Sequence, residues 1–593
     1  MKDFVKTMLA VIAGIVVIQL LGMIFFFIMI GSAAVSGSGT PALPKNAVLE
    51  VDMSKFVIAE QSTQLGPIDF SALSSGSGVV PTIGLWDAVS AIDKAAADPA
   101  VKYIFLRSDG ASAGNATMEE FRKALASFRQ SGKPVIAYSE NPGTGSVYLA
   151  SVADKFYMSS YHGGMSQFVG VSGQLVFVKD ILDKLGVNVQ LIRHGKYKSA
   201  GEMFIANAPS AANLEQNQAM VNSLWKSISG EIAKSRGIEA EKLNSLTDNL
   251  ELIFPEDFLA AGVADGLVNR AELETKLCDL AVVSKPEDLH LVPFADYVKA
   301  RITPSSAREK VAVIFADGEI VDAEQMNAIS GDKFAAEIDK VRRDKNIHAV
   351  VLRVNSPGGS VLASEKIRTA LDSLAAAKPM VASYGNYAAS GGYWISSGVS
   401  RIYSDEMTLT GSIGVFSMIP DLTKVADKAG VNFVTIGSNE HSDMLSLIHT
   451  LDPAEIACMQ ASVEDIYDKF VNLVAAGRGM EPADVDEIAQ GRVWTGADAL
   501  GVGLVDEIGT LKDAVTAAAR LAGYFSEDDY GVATYPAVPT ILDMLLESLG
   551  AKAKASSILS GTGFESLADA VALLQDRKPS KVYAIIPYEI TIK

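Results

Sequence analysis

Residues 344–353 read DKNIHAVVLR and residues 98–107 read DPAVKYIFLR, so one charged and apolar pattern recurs 246 positions apart. Two further pairs follow in the same order: KPVIAY (133–138) with KPMVAS (378–383), and KLGVNVQLI (184–192) with KAGVNFVTI (428–436). Their offsets, 245 and 244, differ from the first by at most two residues. Because such self-similarity indicates a repeated structural unit, we interpret the chain as a tandem duplication of about 220–240 residues.

The second repeat alternates short apolar runs with helical patterns. The runs at 311–315, 349–354 and 380–384 are typical of buried strands. Apolar residues at helical spacing lie between them, namely Phe334, Ile338 and Val341, then Ile367, Leu371 and Leu374. Strands that alternate with helices indicate a largely parallel sheet with crossover connections. The sequence therefore predicts an α/β fold that is built twice.

Composition excludes several classes of protein. The chain has 593 residues, of which 49% are hydrophobic and 20% charged, which is unlike disordered, collagen-like or coiled-coil proteins. Its net charge of −19 argues against a nucleic-acid partner. Two cysteines and six scattered histidines argue against a metal centre built from these residues. The cysteines, Cys278 and Cys458, are compatible with a pair or with free thiols.

The amino terminus contains an apolar run at residues 8–30 with one polar member, Gln19. A helix of that length crosses a hydrocarbon core of about 30 Å. Lys2 and Lys6 precede the run and the next basic residue is Lys45, so the positive-inside rule places the N-terminus in the cytoplasm. A cleaved signal peptide is the alternative, but its apolar region is typically about 7–15 residues. We therefore expect an uncleaved single-pass anchor.

These features divide the chain into four parts. Residues 1–45 would hold a cytoplasmic tip, the transmembrane anchor and a tether, and residues 46–300 the N-terminal α/β repeat. Residues 301–530 would form the C-terminal α/β repeat, and residues 531–593 a C-terminal extension. The body after the anchor would lie on the extracytoplasmic side of the inner membrane, in the periplasm of a cell with an outer membrane.

The two repeats differ in the loop after the strand at 349–354. The second repeat continues with NSPGGS, which places Gly358 and Gly359 between a strand and a helix. Adjacent glycines let the backbone approach a ligand and can direct N–H groups at an oxygen atom. The first repeat has Ser112 and Ala113 at the matching positions. An ordinary tight turn would explain the two glycines equally well.

A second difference follows the strand at 380–384, where residues 388–394 read AASGGYW. Ser390 would start a helix there, and the N–H of Gly391 would be available to an oxyanion. The first repeat has Gly145 in place of the serine. A helix N-cap is the alternative role for Ser390, and it is the more common one for such a serine.

A nucleophilic serine needs a base, and the first repeat carries lysines just after the shared segment that ends at Ile192. Residues 195–200 read GKYKSA and contain Lys196 and Lys198, and Lys198 matches Ser442 of the second repeat. A lysine acts as a base only when it is neutral, and burial between two repeats would favour that form. Two solvated surface lysines are the ordinary alternative.

Four motifs together resemble the signal peptide peptidase A (protease IV) family in its long, duplicated form. They are YKSA (197–200), NSPGGS (355–360), AASGGYW (388–394) and LTGSIG (409–414). The apolar N-terminal run and the repeat agree, so the resemblance covers nearly the whole chain. Similar glycine loops suit the wider crotonase-like and Clp-protease-like folds, and it is Lys198 in order with Ser390 that narrows the resemblance to this family.

The resemblance implies two crotonase/Clp-protease-like α/β units that share one Ser-Lys dyad. It assigns roles to six residues: nucleophile Ser390, general base Lys198, lysine-orienting Ser412, oxyanion donors Gly359 and Gly391, and the neighbouring Gly358. It also implies a membrane-bound homotetramer that degrades residual cleaved signal peptides and other apolar peptides without a metal or cofactor. Two other functions stay open, a crotonase-like acyl-CoA enzyme and a catalytically inactive membrane scaffold.

Overall fold

The computed structural model describes residues 43–62, 80–161, 163, 165–303, 305–325, 327–537 and 583–585. The predicted anchor at residues 8–30 lies outside these residues. Within the described ranges, none of the helices combines the length and the apolar character needed to cross a bilayer.

The first half contributes nine strands and ten helices to the described fold. The strands are β1 (Ala47–Asp52), β2 (Val57–Ala59), β3 (Thr82–Gly84), β4 (Val101–Arg107), β5 (Val135–Ser139), β6 (Lys155–Ser159), β7 (Asn188–Arg193), β8 (Gly266–Val268) and β9 (Leu291–Pro293). The helices are α1 (Leu85–Ala97), α2 (Asn115–Arg129), α3 (Thr144–Ala150), α4 (Lys179–Leu185), α5 (Glu202–Ile205), α6 (Ala211–Arg236), α7 (Ala240–Asp248), α8 (Pro255–Ala261), α9 (Arg270–Ala281) and α10 (Phe294–Arg301), with a 3-10 turn at Pro286–Asp288.

The second half contributes thirteen described strands and eight helices. The strands are β10 (Lys310–Asp317), β11 (Glu319–Val321), β12 (Ala328–Ser330), β13 (Ile347–Ser356), β14 (Gly358–Ser360), β15 (Met380–Ala389), β16 (Ile402–Ser404), β17 (Leu409–Gly411), β18 (Phe416–Asp421), β19 (Val493–Thr495), β20 (Glu507–Ile508), β21 (Gly531–Tyr535) and β22 (Tyr583–Ile585). The helices are α11 (Gly331–Arg343), α12 (Val361–Ala375), α13 (Gly391–Ser396), α14 (Thr423–Ala429), α15 (Pro453–Arg478), α16 (Pro482–Ile488), α17 (Gly496–Gly501) and α18 (Leu511–Leu521), with a 3-10 turn at Glu527–Asp529.

The two halves contain the same parallel sheet. In the first half its order is β9-β1-β4-β5-β6-β8, and in the second it is β21-β10-β13-β15-β16-β20. All of these neighbours pair in parallel, as crossover connections through helices require. The tandem α/β duplication predicted from the sequence is therefore confirmed.

The helices of the second repeat bury the residues that their spacing predicted. Phe334, Ile338 and Val341 are buried on α11, and the corresponding stripe on α12 is also buried. Strand β10 is buried at nearly every position, as expected for a central parallel strand covered on both faces. These residues form the core of the second half.

The prediction that the strand at 380–384 ends before Gly385 was wrong, because β15 continues to Ala389. The extension is held by a second neighbour, since Tyr387–Ala389 pair with β17. A register shift after Val354 lets Ser356 of β13 pair with Ala388 as well. The glycine and asparagine in this stretch favour a loop locally, and the tertiary pairing overrides that preference.

A third sheet joins the two repeats, in the order β12-β11-β14-β22-β18-β7. Strand β7 of the first repeat pairs antiparallel with β18 of the second along its whole length, from Arg193 opposite Phe416 to Asn188 opposite Asp421. Apolar side chains from both repeats cover this junction, among them Val189 and Met418. The chain between β7 and α6 is thereby fixed against the second repeat.

A buried ionic cluster also connects the repeats. Arg353 of the second repeat is fully buried, with its Nε 2.8 Å from Glu60 Oε2 and its Nη2 2.8 Å from Glu120 Oε1, both in the first repeat. Nearby, Lys123 Nζ lies 3.0 Å from Asp405 Oδ1. Burial, together with the repulsion of Glu120, raises the pKa of Asp405 well above its ordinary value. The cluster thus contains several buried carboxylates, and Arg353 compensates their negative charge.

We expect the substitution Arg353→Met to lower the free energy of unfolding by about 3–5 kcal/mol, because it leaves two buried carboxylates without their counter-charge. Arg342→Met is the matched control, since Arg342 pairs with Asp339 at the surface, where such pairs contribute at most about 1 kcal/mol. Chemical denaturation of the full chain measures both. A smaller loss for Arg353→Met than for the control would contradict the prediction.

Candidate active site

Ser390 lies where β15 ends and α13 begins. Its backbone has φ +56° and ψ −113°, a left-handed conformation that non-glycine residues rarely adopt. The turn is held by its N–H, which donates to Gly411 O at 2.8 Å, and by its carbonyl, which accepts from Trp394 N at 2.8 Å. Ser390 occupies the N-cap position of α13, but its side chain makes no capping hydrogen bond. The hydroxyl therefore serves something other than the helix end.

Lys198 reaches Ser390 from the first repeat. It lies between β7 and α5, and its Nζ is 2.8 Å from Ser390 Oγ. The same Nζ lies 3.0 Å from Ser412 Oγ and 3.1 Å from Ser412 O. Lys198 and Ser412 are 1% exposed and Ser390 is not exposed at all. Residues 192 and 214 positions apart in sequence thus form one enclosed group of an amine and two hydroxyls.

Ser412 is placed by the strand that also supports Ser390. It follows β17, which pairs with the end of β15 on one side and with β19 on the other. Its backbone is left-handed as well, with φ +50°, and its N–H donates to Arg492 O at 2.7 Å. Both serines are therefore held in strained conformations that the surrounding sheet maintains, as is common at functional sites.

The loop that carries Lys198 is fixed by residues that the sequence analysis did not find. Tyr197 N donates to Gln490 O at 2.9 Å, and Gln216 Nε2 donates to Tyr197 O at 2.8 Å. Arg193 Nη1 donates to Lys198 O at 2.8 Å. These partners come from three separate parts of the chain, so no local motif marks them.

Gly491 packs against Lys198 so closely that a side chain has no room there. A Cβ on Gly491 would lie 2.6 Å from both Cβ and N of Lys198. Gly414 covers the far end of the side chain, because a Cβ there would lie 3.2 Å from Lys198 Cδ. Gly414 belongs to the LTGSIG motif quoted above, whereas Gly491 belongs to none of the four. The lysine thus depends on two glycines for its position.

We expect Gly491→Ala to reduce turnover by about 10²-fold, the order of loss that a shift of about 1 Å in a reacting group causes. Gly503→Ala is the matched control: its φ of +77° resembles the +79° of Gly491, but the nearest atom to its added Cβ is Met480 Sδ at 3.9 Å. Both variants carry the same backbone strain, and one alone displaces Lys198. Steady-state kinetics of the two proteins test this, and equal losses would contradict it.

The three candidate oxyanion glycines also lie together. A Cβ on Gly391 would lie 3.0 Å from Gly359 N and 3.1 Å from Gly358 Cα. Gly359 has no space for a side chain, since its Cβ would lie 2.0 Å from Ile320 O. The N–H of Gly358 donates to Ser356 Oγ at 3.2 Å, so this group shapes the loop. Gly359 is thus required by the close approach of the Ile320 backbone, beyond what a simple turn needs.

An extended segment of the chain runs beside these glycines. Strand β22 pairs antiparallel with β14, with Gly358 opposite Ile585 and Gly359 opposite Ala584. On its other side β22 pairs antiparallel with β18, with Tyr583 opposite Phe416. We call β14 and β18 the cleft strands. The space between them therefore accommodates an extended peptide backbone next to α13.

The positions that match the site in the opposite repeat carry no such group. Gly145, which matches Ser390, is buried at the start of α3 and has no hydroxyl. Ser442, which matches Lys198, is exposed. Lys196 is also exposed, with its Nζ 4.5 Å from the centre of the Tyr197 ring. Lys198 is the lysine of this pair that contacts Ser390.

One group of side chains elsewhere has the donor types of a metal site. His441 Nδ1 lies 3.2 Å from Glu455 Oε1 and 3.7 Å from Asp452 Oδ2. Both carboxylates already cap α15, since Asp452 accepts from the backbone N–H groups of Ala454 and Glu455 while Glu455 accepts from that of Asp452. We interpret the group as a helix cap.

Comparisons with known proteins identify a family to which this chain is similar. The model of peptidase family S49 matches twice, at residues 127–284 and 372–524. Protease 4 of Salmonella typhi is 35% identical over 91% of this chain and 88% of its own length. The chloroplastic serine protease SPPA of Arabidopsis thaliana is 30% identical over 72% of this chain and 64% of its own.

Among solved structures, the 1510-N membrane-bound stomatin-specific protease with a substrate peptide covers 41% of this chain and 98% of its own, at 17% identity and a TM-score of 0.27. The family model covers both repeats, and the protease 4 match extends over most of the chain. The chain therefore belongs to peptidase family S49 and is a serine protease.

Proposed function

We propose that the protein is a membrane-anchored endopeptidase that uses Ser390 and Lys198 as a dyad to degrade residual cleaved signal peptides on the extracytoplasmic side of the membrane. The observation that carries the proposal is the 2.8 Å distance between Lys198 Nζ and Ser390 Oγ in a site closed to solvent. Nucleophile and base must lie within hydrogen-bond reach for such chemistry.

In the proposed mechanism, Ser390 Oγ attacks the carbonyl carbon of the scissile bond while its proton passes to the neutral amine of Lys198. The N–H groups of Gly359 and Gly391 stabilise the oxyanion of the tetrahedral intermediate. Lys198 then gives the proton to the leaving amine, and an acyl-enzyme on Ser390 remains. A water molecule, deprotonated by Lys198, hydrolyses this ester and restores the serine.

The surroundings of Lys198 support its use as a base. Removal from solvent disfavours the charged form of an amine, and Lys198 is almost completely buried. Ser412 Oγ, 3.0 Å from Nζ, can donate a hydrogen bond to the lone pair of the neutral amine or accept one from the protonated form. We assign Ser412 the role of orienting the amine in both states.

The cleft strands support a peptide substrate over an acyl-CoA. The antiparallel pairing of β22 with both β14 and β18 demonstrates room for an extended backbone beside Gly359, and backbone pairing of this kind is a common mode of peptide recognition. An acyl-CoA has two amides in its pantetheine arm, but these lack the regular N–H and C=O spacing of a peptide strand. We therefore favour the peptidase over the crotonase-like alternative.

The proposal also includes the cellular location of the protein and its assembly. The apolar run at residues 8–30 would anchor the chain in the inner membrane with its N-terminus in the cytoplasm. A protease held at the bilayer meets apolar fragments left in it at high effective concentration. We propose a homotetramer whose substrates are signal peptides and other apolar peptides.

A fluorophosphonate probe, which phosphonylates activated serines with loss of fluoride, tests the proposal on the full chain in detergent micelles. We expect labelling at Ser390, located by peptide mapping, and hydrolysis of a synthetic signal peptide without turnover of an acyl-CoA. Absence of label at Ser390 would point instead to the inactive scaffold. Turnover of the acyl-CoA without peptide hydrolysis would point to the crotonase-like enzyme.

A further inference from the structure

Residues 490–493 form a short connection between the proposed base and the serine that orients it. At one end, Gln490 O accepts from the N–H of Tyr197, the residue before the base, at 2.9 Å. At the other end, Arg492 O accepts from the N–H of Ser412 at 2.7 Å. The main chain of this segment therefore holds the loop that carries the base beside the strand end that carries Ser412.

The side chain of Arg492 adds contacts to the same two parts of the site. Its guanidinium carbon lies 4.4 Å from the centre of the Trp494 ring and 5.1 Å from the centre of the Tyr197 ring. Both distances are within the range of about 6 Å over which an aromatic face attracts a cation. Its Nη1 also lies 3.5 Å from the hydroxyl of Tyr197. One guanidinium thus contacts a ring of β19 and the ring beside the base.

Each of these rings belongs to a fixed part of the structure. Trp494 lies opposite Thr410 in the pairing of β19 with β17, two positions before Ser412. Tyr197 is 7% exposed, and its hydroxyl donates to Glu215 Oε1 at 2.7 Å. Because the two rings belong to different elements, a guanidinium that contacts both links the loop of the base to β17.

We propose that Arg492 is a positioning residue for the Ser-Lys dyad. Its side chain holds Tyr197, and with it the amine of Lys198, within proton-transfer distance of the nucleophile. The proposal rests on the function proposed above, since it assumes that Lys198 is the base. Arginine suits this role because its planar guanidinium stacks on aromatic faces and stays charged at the alkaline pH that makes a lysine neutral.

Direct binding of the substrate is the other role open to an arginine near an active site. The side chain of Arg492 is 24% exposed, but its Nη1 lies 3.6 Å from Glu215 Oε1, so its charge already has a partner. Its described side-chain contacts are with Tyr197, Glu215 and Trp494, none of which belongs to the cleft strands. A positioning role predicts a loss in kcat, whereas a role in substrate binding alone predicts a rise in KM.

The substitution Arg492→Met in the full chain tests the assignment, because methionine keeps an apolar stem and removes the guanidinium. We expect kcat for a synthetic signal peptide to fall about 10²-fold, the order of loss that a misplacement of about 1 Å causes. We expect KM to stay within about threefold of the parent value, since the removed contacts are not with the substrate.

Arg401→Met is the matched control. The guanidinium carbon of Arg401 lies 5.5 Å from the centre of the Tyr403 ring, and its Nη2 pairs with Glu507. It therefore combines a ring contact with an ion pair, as Arg492 does, but these described contacts include no group of the proposed site. We expect this variant to keep the kcat of the parent.

The rate of labelling by the fluorophosphonate probe separates a displaced base from a misfolded protein. In Arg492→Met we expect Ser390 to be labelled to the same final extent as in the parent but about 10²-fold more slowly, because the nucleophile is intact and its base is displaced. Arg492→Lys is a milder second variant, since it keeps a charge beside Glu215 but loses the planar stack. We expect it to be labelled fully, at a rate between those of the parent and Arg492→Met.

A double-mutant cycle with Tyr197→Leu tests whether Arg492 acts through the tyrosine. If it does, the double variant should be about as slow as the slower single variant, whereas independent effects multiply. Multiplied losses, a rise in KM without a loss in kcat, a lower final extent of labelling at the parent rate, or a parent-like rate in both Arg492 variants would overturn the assignment. Absence of label in the parent would overturn the dyad itself, so the two failures are distinguishable.

Discussion

The substitution Ser390→Ala should lower peptide hydrolysis by about 10⁴-fold or more, while the protein folds and assembles as before. Removing the nucleophile of a serine protease leaves the residual acceleration from the oxyanion site and from binding, and losses of about 10⁶-fold are known for such groups. Ser390 Oγ contacts Lys198, and its side chain does not cap α13. Its removal therefore deletes no helix-capping bond. Hydrolysis of a labelled signal peptide, with native mass and thermal unfolding measured in parallel, checks this.

Ser397→Ala is the matched control, since Ser397 is another buried serine, at the end of the same helix α13. Its Oγ donates to Trp394 O at 3.2 Å and contacts no proposed catalytic group in the described hydrogen-bond network. We expect hydrolysis by this variant to stay within a few fold of the parent. Full activity in Ser390→Ala would eliminate the dyad, and equal losses in both serine variants would assign the effect to packing.

Much of the fold follows from local pattern because the chain repeats it. The apolar runs and helical stripes of the second repeat recur in the structure at 311–315, 334–343 and 349–354. The end of β15 was predicted too early because Gly385 and Asn386 favour a loop. In the structure, the residues that follow them pair with β17, and this pairing extends the strand. Local propensity carries no information about a partner strand that lies some twenty residues further along the chain.

In the candidate site, too, some residues could be predicted from the local sequence and others only from the tertiary fold. Ser390, the lysine pair and the glycine loop were singled out because the repeats differ there, and the family resemblance then selected Lys198. Gly491 and Gln216, which fix the lysine loop, have no counterpart motif and act only through the tertiary fold. The burial of Arg353 against acidic residues of the other repeat could not be predicted either, because an arginine at a strand position ordinarily indicates a surface residue.

Each repeat supplies one of the two proposed catalytic groups, so the two repeats must stay in contact. A serine in one and a lysine in the other give no chemistry unless their side chains meet, and they meet where β7 crosses from the first repeat onto β18. The third sheet is therefore part of the proposed catalytic apparatus, because it fixes the segment that precedes Lys198.

The substitution Lys198→Ala should be as damaging as Ser390→Ala, because two groups that act as a unit lose nearly everything when either is removed. Lys196→Ala is the matched control two residues away, since Lys196 is exposed and lies against the ring of Tyr197. We expect the control to retain close to full activity. Activity in Lys198→Ala together with loss in Lys196→Ala would transfer the role of base to Lys196.

The variant Lys198→Arg separates a base from a positive charge that merely binds substrate. Arginine keeps the charge and cannot become neutral in a protein, so it should remain inactive if Lys198 removes the proton of Ser390. In the parent protein, kcat/KM should rise with pH towards an alkaline plateau, as the neutral amine becomes the prevailing form of the free enzyme. A substrate-binding charge predicts the opposite, namely partial rescue by arginine and a rate that falls as the amine loses its proton. Kinetics of Lys198→Arg and of the parent from neutral to alkaline pH distinguish the two cases.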